Sequence, residues 1–429
     1  MPLRLATLLR PFEDFFKHQA SGGVVLLGST LLALALANSP LEGFYHHLWE
    51  INFTLGLQGF GLTQTLHHWV NDGLMAVFFF VVGLEIKREF LAGELASLRK
   101  ATLPIAAALG GMLVPALLFR LVVPDPPAAN GWGIPMATDI AFALGIVALL
   151  GNRIPRSLAI FLTALAIVDD LGAVLVIAIF YTGNLSTAAL GMAGAFFLLL
   201  VIGNRIGLQH PNFYALIGFA LWVALLKSGI HASVAGVLIG ATIPVKPRHS
   251  YDEFLRHSKT LLDRYRSVGT IRGPFLHEER LGALLALEHI CQDAMSPLQR
   301  MEHIMGDWVI FGVLPLFALA NAGISLSAAD LAASLSHPLP LGVALGLLIG
   351  KPLGITLFSW AAVRLKMADL PRGTSWTDIL GIGILGGIGF TMSLFITNLA
   401  FTDPQRIAEA KVGIFVASLL AGVAGYAIF

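Results

Sequence analysis

The sequence predicts an all-helical membrane protein that crosses the bilayer twelve times, and three observations predict it. Of its 429 residues, 56% are hydrophobic and only 12% charged, about half the ~25% charge of a typical soluble domain. Apolar runs of about 17–25 residues, the length that spans a bilayer as a helix, recur along the chain. Once those runs are taken as spans, lysine and arginine collect overwhelmingly on one side. The formal net charge of +1 gives no electrostatic footprint for nucleic acid. The single cysteine, Cys291, excludes an intramolecular disulfide or a thiolate metal cluster.

Taken in order, residues 1–20 come first. Leu5, Leu8, Leu9, Phe12, Phe15 and Phe16 fall there at helical spacing, and Glu13 and Asp14 are present. That pattern suits an amphipathic helix at the cytoplasmic interface better than the basic start of a signal peptide. A single domain, 21–429, follows. Its spans are expected at 22–37, 71–85, 102–121, 134–150, 156–180, 186–203, 211–227, 230–244, 308–323, 340–363, 376–400 and 408–428. With the N-terminus inside, 22 of the 27 lysines and arginines fall on the inner side. Arg120, Lys227, Arg406 and Lys411 fall on the outer side, and Lys351 lies within a span. Cations accumulate on the cytoplasmic side of membrane proteins, so both termini are placed inside.

Two connections stand out. The outer segment 51–66 carries Gly59 and Gly61 between alternating apolar residues, the pattern of a short β-hairpin. The inner segment at about 246–307 is long and charged, and Glu279–Met305 within it reads as amphipathic and helical. The plainer reading of both is ordinary loop.

The carboxylates inside the spans carry the chemistry. In "ALAIVDDLGAV" Asp169 and Asp170 are adjacent. An aspartate at a helix centre costs about 2.5–3.5 kcal/mol to insert, so two cost roughly 5–7 kcal/mol. The twelve Leu, Ile, Val and Phe residues between Phe161 and Phe180 return only about 5 kcal/mol on the same scale. Groups that nearly cancel the insertion of their own helix face a water-filled cavity or a partner, and they mark an ion or proton route. The plainer alternative is a pair that only holds helices together. Helix geometry turns neighbours about 100° apart, so one aspartate can line a cavity while the other meets a partner on another span.

Lys351, followed by Pro352, is the candidate partner, because a buried lysine without a counter-ion loses its proton. Asp139 lies in "GIPMATDIAFALG", where Pro135 and Thr138 argue against a continuous helix. It reads either as the N-cap of the helix that follows or as an ion ligand. A second interruption, "GIGILGGIGFTMSLF", holds five glycines in nine residues. A phosphate-binding loop is excluded there, since no lysine follows; a close-packing helix face is the alternative. The two interrupted spans are the middle members of spans 3–5 and 10–12, sets that start on opposite sides of the membrane. Paired broken helices in such inverted repeats point to a transporter's central site.

These residues together resemble the bacterial sodium/proton antiporters of the NhaA type, and the resemblance covers nearly the whole chain. It rests on "NDGLMAVFFFVVGLEIKREF", "GWGIPMATDIAFALGIVALLG", "ALAIVDDLGAV", "LLKSGIHASVAG", "LPLFALANAGISL", "GLLIGKPLGI" and "GIGFTMS". It implies twelve spans with spans 4 and 11 broken mid-membrane. It also implies electrogenic exchange of two protons for one Na+ or Li+, location in the bacterial inner membrane, and no cofactor. By resemblance Asp170 is the principal sodium and proton carboxylate, and Asp169 is its neighbour, paired with Lys351. Asp139 compensates helix-end dipoles, Thr138 assists coordination, and Gly386, Gly387 and Gly389 belong to the broken-helix assembly. Glu85, Arg88, Glu89, Glu302 and His303 correspond to a cytoplasmic cluster tied to pH activation; the alternative is a solvated helix end. Gln299 and Gly306 depart from that pattern, and the loop before them is longer than the family's. His231 matches a position associated with pH response. A homodimer through residues 51–66 is implied by the family's outer hairpin.

The residues supply a mechanism beside the resemblance. Deep burial raises a carboxyl from its aqueous value of about 3.9 to around 7–9, where proton and cation compete near neutral pH. Sodium takes oxygen ligands, which carboxylates and the freed carbonyls of a broken helix provide. The competing reading is a cation- or proton-coupled solute symporter, which requires polar or aromatic groups for an organic substrate that the middle spans scarcely offer. The rings of charge that a channel requires do not appear in the sequence.

Overall fold

The computed structural model describes residues 5–56, 61–183, 185–248, 250–267, 278–324 and 337–429. The first helix, α1 (Leu5–Ala37), is unbroken, so the predicted interfacial segment and first span are continuous. A short helix α2 (Glu42–Glu50) leads into strands β1 (Asn52–Leu55) and β2 (Leu62–Thr65). They pair antiparallel with Asn52 opposite Thr65 and Leu55 opposite Leu62, which is the expected hairpin. Gly61 immediately precedes β2, while Gly59 lies outside the described residues.

Helices α3 (Leu66–Ala92) and α4 (Leu98–Val122) follow. A 3-10 segment, Ala128–Met136, then precedes α5 (Ile140–Leu150), and α6 (Arg156–Phe180) carries the paired aspartates. Next come α7 (Thr187–Arg205), α8 (Pro211–Ser228) and α9 (Val234–Thr242). The inner segment forms α10 (Tyr251–Ser267), α11 (Glu278–Ala294) and the start of α12 (Pro297–Asn321). The chain closes with α13 (Pro338–Arg364), α14 (Trp376–Gly386), α15 (Phe390–Ala400) and α16 (Pro404–Ile428).

Among the described residues ten helical stretches are long and apolar enough to cross a membrane, and the α14–α15 pair, bent by 48°, makes an eleventh. The stretch expected at 230–244 contains only the nine residues of α9. Gly229, at φ 88°, ends α8 in a left-handed cap, and the chain resumes helix only at Val234. The inner segment is helical rather than plain loop. Ser296 caps the last of its helices by accepting from the Gln299 amide at 3.2 Å, and Pro297 takes the first helical position, where its missing N–H costs nothing.

In lipid, helices associate through close packing of small residues rather than through apolar burial. The α4–α13 contact shows this: a Cβ on Gly110 would sit 2.7 Å from the Gly354 carbonyl carbon. That approach brings α13, with Lys351, against the elements that hold the carboxylates.

Candidate functional site

Both interrupted spans break where their sequences suggested. After Met136 the backbone turns extended at Ala137 (ψ 148°) and α5 starts again at Ile140. After Gly386 three residues intervene before α15 begins at Phe390. The breaks touch, since the Asp139 amide donates to the Ile388 carbonyl at 2.7 Å.

Asp139 is 2% exposed and satisfies both helix starts with one carboxylate. Its Oδ1 accepts from the Phe142 amide at 3.0 Å, capping α5. Its Oδ2 accepts from the Thr391 amide at 3.0 Å and the Thr391 hydroxyl at 2.5 Å, in the first turn of α15. Two helix N-termini, each with a partial positive charge, thus meet one negative group. The capping role seen in the sequence is present, and it extends to a second helix.

Asp169 and Asp170, on α6, are 2% and 3% exposed, and Lys351 is 1% exposed. Asp169 Oδ2 faces the Lys351 ammonium at 2.5 Å and the Thr138 hydroxyl at 2.7 Å. The Lys351 ammonium also donates to the Met136 carbonyl at the first break. The Thr138 hydroxyl lies 3.0 Å from the Gly386 carbonyl at the second. Asp169 Oδ1 is buried with no hydrogen-bond partner. Asp170 makes no hydrogen bond or ion pair among the described residues, and it sits in the field of Asp169, Glu85, Asp139 and Lys351.

Local backbone places the lysine. Gly346–Gly350 form a π turn, and the Lys351 amide donates five residues back to Gly346. This wider turn directly precedes Pro352, whose nitrogen has no proton to donate. The glycines of the second break fit against the same helix. A Cβ on Gly387 would lie 2.5 Å from the Leu347 carbonyl oxygen, and one on Gly383 would lie 2.9 Å from the Pro352 Cα. Gly389 occupies the cap position of α15.

The structure therefore brings Thr138, Asp139, Asp169, Lys351 and the glycine break into one contact set, with Asp170 adjoining it on α6. Its chemistry is a buried, oxygen-rich site with three carboxylates, one lysine ammonium and the carbonyls of Met136 and Gly386 at the two breaks. Such a donor set suits a small hard cation. The sequence reading had not singled out Thr391 or the Met136 carbonyl. Thr391 stands two residues beyond the last glycine of the break, and a hydroxyl in the first turn after a helix restart is a capping signal.

The candidates for pH control divide. Arg88 bonds Glu302 at 2.5 Å and Glu89 at 3.1 Å, joining the ends of α3 and α12. Glu85 is half-buried one turn earlier, and His303 is exposed. His231 lies apart from that cluster. Its Nε2 is 3.3 Å from Asp72, which also meets His68 at 2.9 Å. Asp72 is a further buried acid that the sequence reading passed over.

Comparison with known proteins gives consistent results. A family model described as Na+/H+ antiporter 1 matches residues 13–429. The chain is 66% identical over 428 residues to Na(+)/H(+) antiporter NhaA 2 of Syntrophotalea carbinolica, covering 100% of this chain and 98% of that one. It is 52% identical to Na(+)/H(+) antiporter NhaA of Acidithiobacillus ferrooxidans, covering 97% and 96%. Against Na(+)/H(+) antiporter NhaA of Escherichia coli O1:K1 the identity is 46%, covering 97% of each chain.

Proposed function

The chain belongs to the Na+/H+ antiporter 1 family, and from that premise we propose how its buried acids carry out the exchange. The protein is a multi-pass transporter of the bacterial inner membrane rather than an enzyme; it exchanges Na+ for H+, and these ions are its substrates, not cofactors. Cytoplasmic Na+, or Li+, leaves as external protons enter, about two for each cation. The chain spans the membrane twelve times with both termini in the cytoplasm, and spans 3–5 and 10–12 form the inverted pair.

One observation carries the mechanism: among the described residues Asp169 holds Lys351 through one oxygen and leaves the other buried and unpartnered, while Asp170 beside it makes no hydrogen bond or ion pair. A cation entering here finds carboxylate oxygen on both residues and the carbonyls of Met136 and Gly386 nearby. Its charge expels one proton from Asp170 and a second from the Asp169–Lys351 pair, which titrates as a unit. Two protons against one sodium move one net charge per cycle. Asp139 and Thr138 keep the two breaks joined around the site, and Gly386, Gly387 and Gly389 allow the close fit. The Glu85–Arg88–Glu89–Glu302 cluster, with His303, adjusts access as pH changes, and Glu85 links it to Asp170 electrostatically; His231 acts separately through Asp72.

Proteoliposomes test this. Wild type is expected to collapse an imposed pH gradient on addition of Na+ or Li+ without any organic solute. Asp170→Asn is expected to lose sodium-driven proton movement altogether, and retention of it refutes the central role. Lys351→Ala is expected to keep exchange but make it electroneutral, read as loss of its dependence on membrane potential.

A further inference from the structure

A second site lies away from the paired aspartates. Tyr45, Trp49, Glu50, His67, Gly323 and Lys411 line a cavity of about 320 Å³ on the side of the bundle that carries α2 and the hairpin. Lys411 sits inside α16 and is 9% exposed, yet it makes no hydrogen bond or ion pair among the described residues. The Trp49 indole N–H, in the same wall, is buried beside the Tyr45 hydroxyl and makes no well-formed hydrogen bond among the described residues. A buried ammonium and a buried N–H, neither with a well-formed partner among the described residues, are each costly.

The other polar groups of the cavity do not relieve them. Glu50 is exposed and forms no ion pair with Lys411 among the described residues. His46 at the rim is 4.0 Å from Glu42. His67 is tied on both sides, to Asn321 at 3.1 Å and Asn71 at 3.2 Å. The Tyr45 hydroxyl donates to the Leu319 carbonyl at 2.7 Å. Among the described residues, then, neither the Lys411 ammonium nor the Trp49 N–H is met by the one carboxylate of the wall, Glu50.

We propose that this cavity binds an oxyanion of the phosphate type, supplied by a phospholipid headgroup or by solution, held by the Lys411 ammonium and the Trp49 indole N–H. Phosphate oxygens accept from several donors at once, and lysine is a common phosphate partner. The position suits a headgroup. Tyr45 and Trp49 are residue types that concentrate at the membrane–water interface, and on the adjoining turn Leu41 and Phe44 are 53% and 66% exposed.

The test is binding to the full chain purified in detergent, read in two ways. Native mass spectrometry reports retained phospholipid, and thermal-shift titration with inorganic phosphate against chloride at equal ionic strength reports the free anion. Wild type is expected to show one of these: retained lipid identifies the headgroup, and a phosphate-specific shift identifies the free anion. Lys411→Met is expected to weaken the binding at least about tenfold, and Trp49→Phe about tenfold, since each removes one charge-assisted contact. The exposed Lys227→Met is expected to change nothing. A wild type that shows neither signal, a phosphate shift no larger than that of chloride, or Lys411→Met binding like wild type overturns the proposal. If Lys411→Met does not fold, Trp49→Phe decides, and unchanged binding there overturns it equally. Asp170→Asn is expected to bind as wild type does, so a failure of the exchange mechanism leaves this result standing.

Discussion

At the scale of single residues, Asp169 uses its two oxygens differently: one closes an ion pair with Lys351, and the other has no partner. Removing one member of a buried pair strands the other charge, at about 3–5 kcal/mol. Lys351→Met is therefore expected to destabilise the protein by that order, and adding Asp169→Asn to recover most of the loss. Thermal unfolding of the singles and the double in one detergent, treated as a cycle, reads the coupling; additive losses would deny it. Asp139 is legible only in part from the chain. Its capping of Phe142 is local and visible, three residues along a sequence that restarts a helix. Its bonds to Thr391 join positions 252 residues apart, and nothing in either stretch names the other. Asp139→Ala is expected to cost about 1–3 kcal/mol for each donor it leaves unsatisfied, and Asp139→Asn clearly less, again by thermal unfolding.

At the scale of elements, the broken helices depend on absent side chains. With the Pro352 backbone 2.9 Å from where a Gly383 Cβ would lie, a methyl there has to push α14 away from α13. Overpacking of this kind costs about 1–3 kcal/mol, and the helix it presses on, α13, is the one that presents Lys351. Gly383→Ala is expected to raise the sodium concentration for half-maximal exchange about tenfold. Gly191→Ala in α7, where a Cβ meets nothing within 4 Å, is expected to leave it unchanged. Fluorescence-monitored exchange in inverted vesicles compares the two directly. The glycine run announces close packing but not its partner, because small residues permit an approach without specifying which helix makes it.

At the scale of the whole molecule, the hairpin is anchored by Trp69, whose indole N–H donates to the Phe53 carbonyl at 3.0 Å and whose ring meets the Phe53 ring edge-on. Ile51, Phe53 and Leu55 nevertheless remain 43%, 50% and 44% exposed. An exposed apolar strand edge that is held firmly in place suits pairing with a second copy. The full chain is expected to run as a homodimer by light scattering, and deletion of residues 51–66 to make it a monomer with sodium-driven exchange retained. An unchanged oligomer removes the hairpin from that role.

Sequence alone determined the membrane class, the places where two spans break, the hairpin and the acids at stake. Each of these leaves a local mark: an apolar run, a proline or glycine cluster, alternation, or charge where insertion disfavours it. Only the tertiary structure decided that one carboxylate caps two helices, that α9 has nine helical residues, and that Lys411 is buried without a counter-ion among the described residues. Those outcomes depend on which distant segments lie within hydrogen-bonding reach, and chain-local patterns carry no information about that distance.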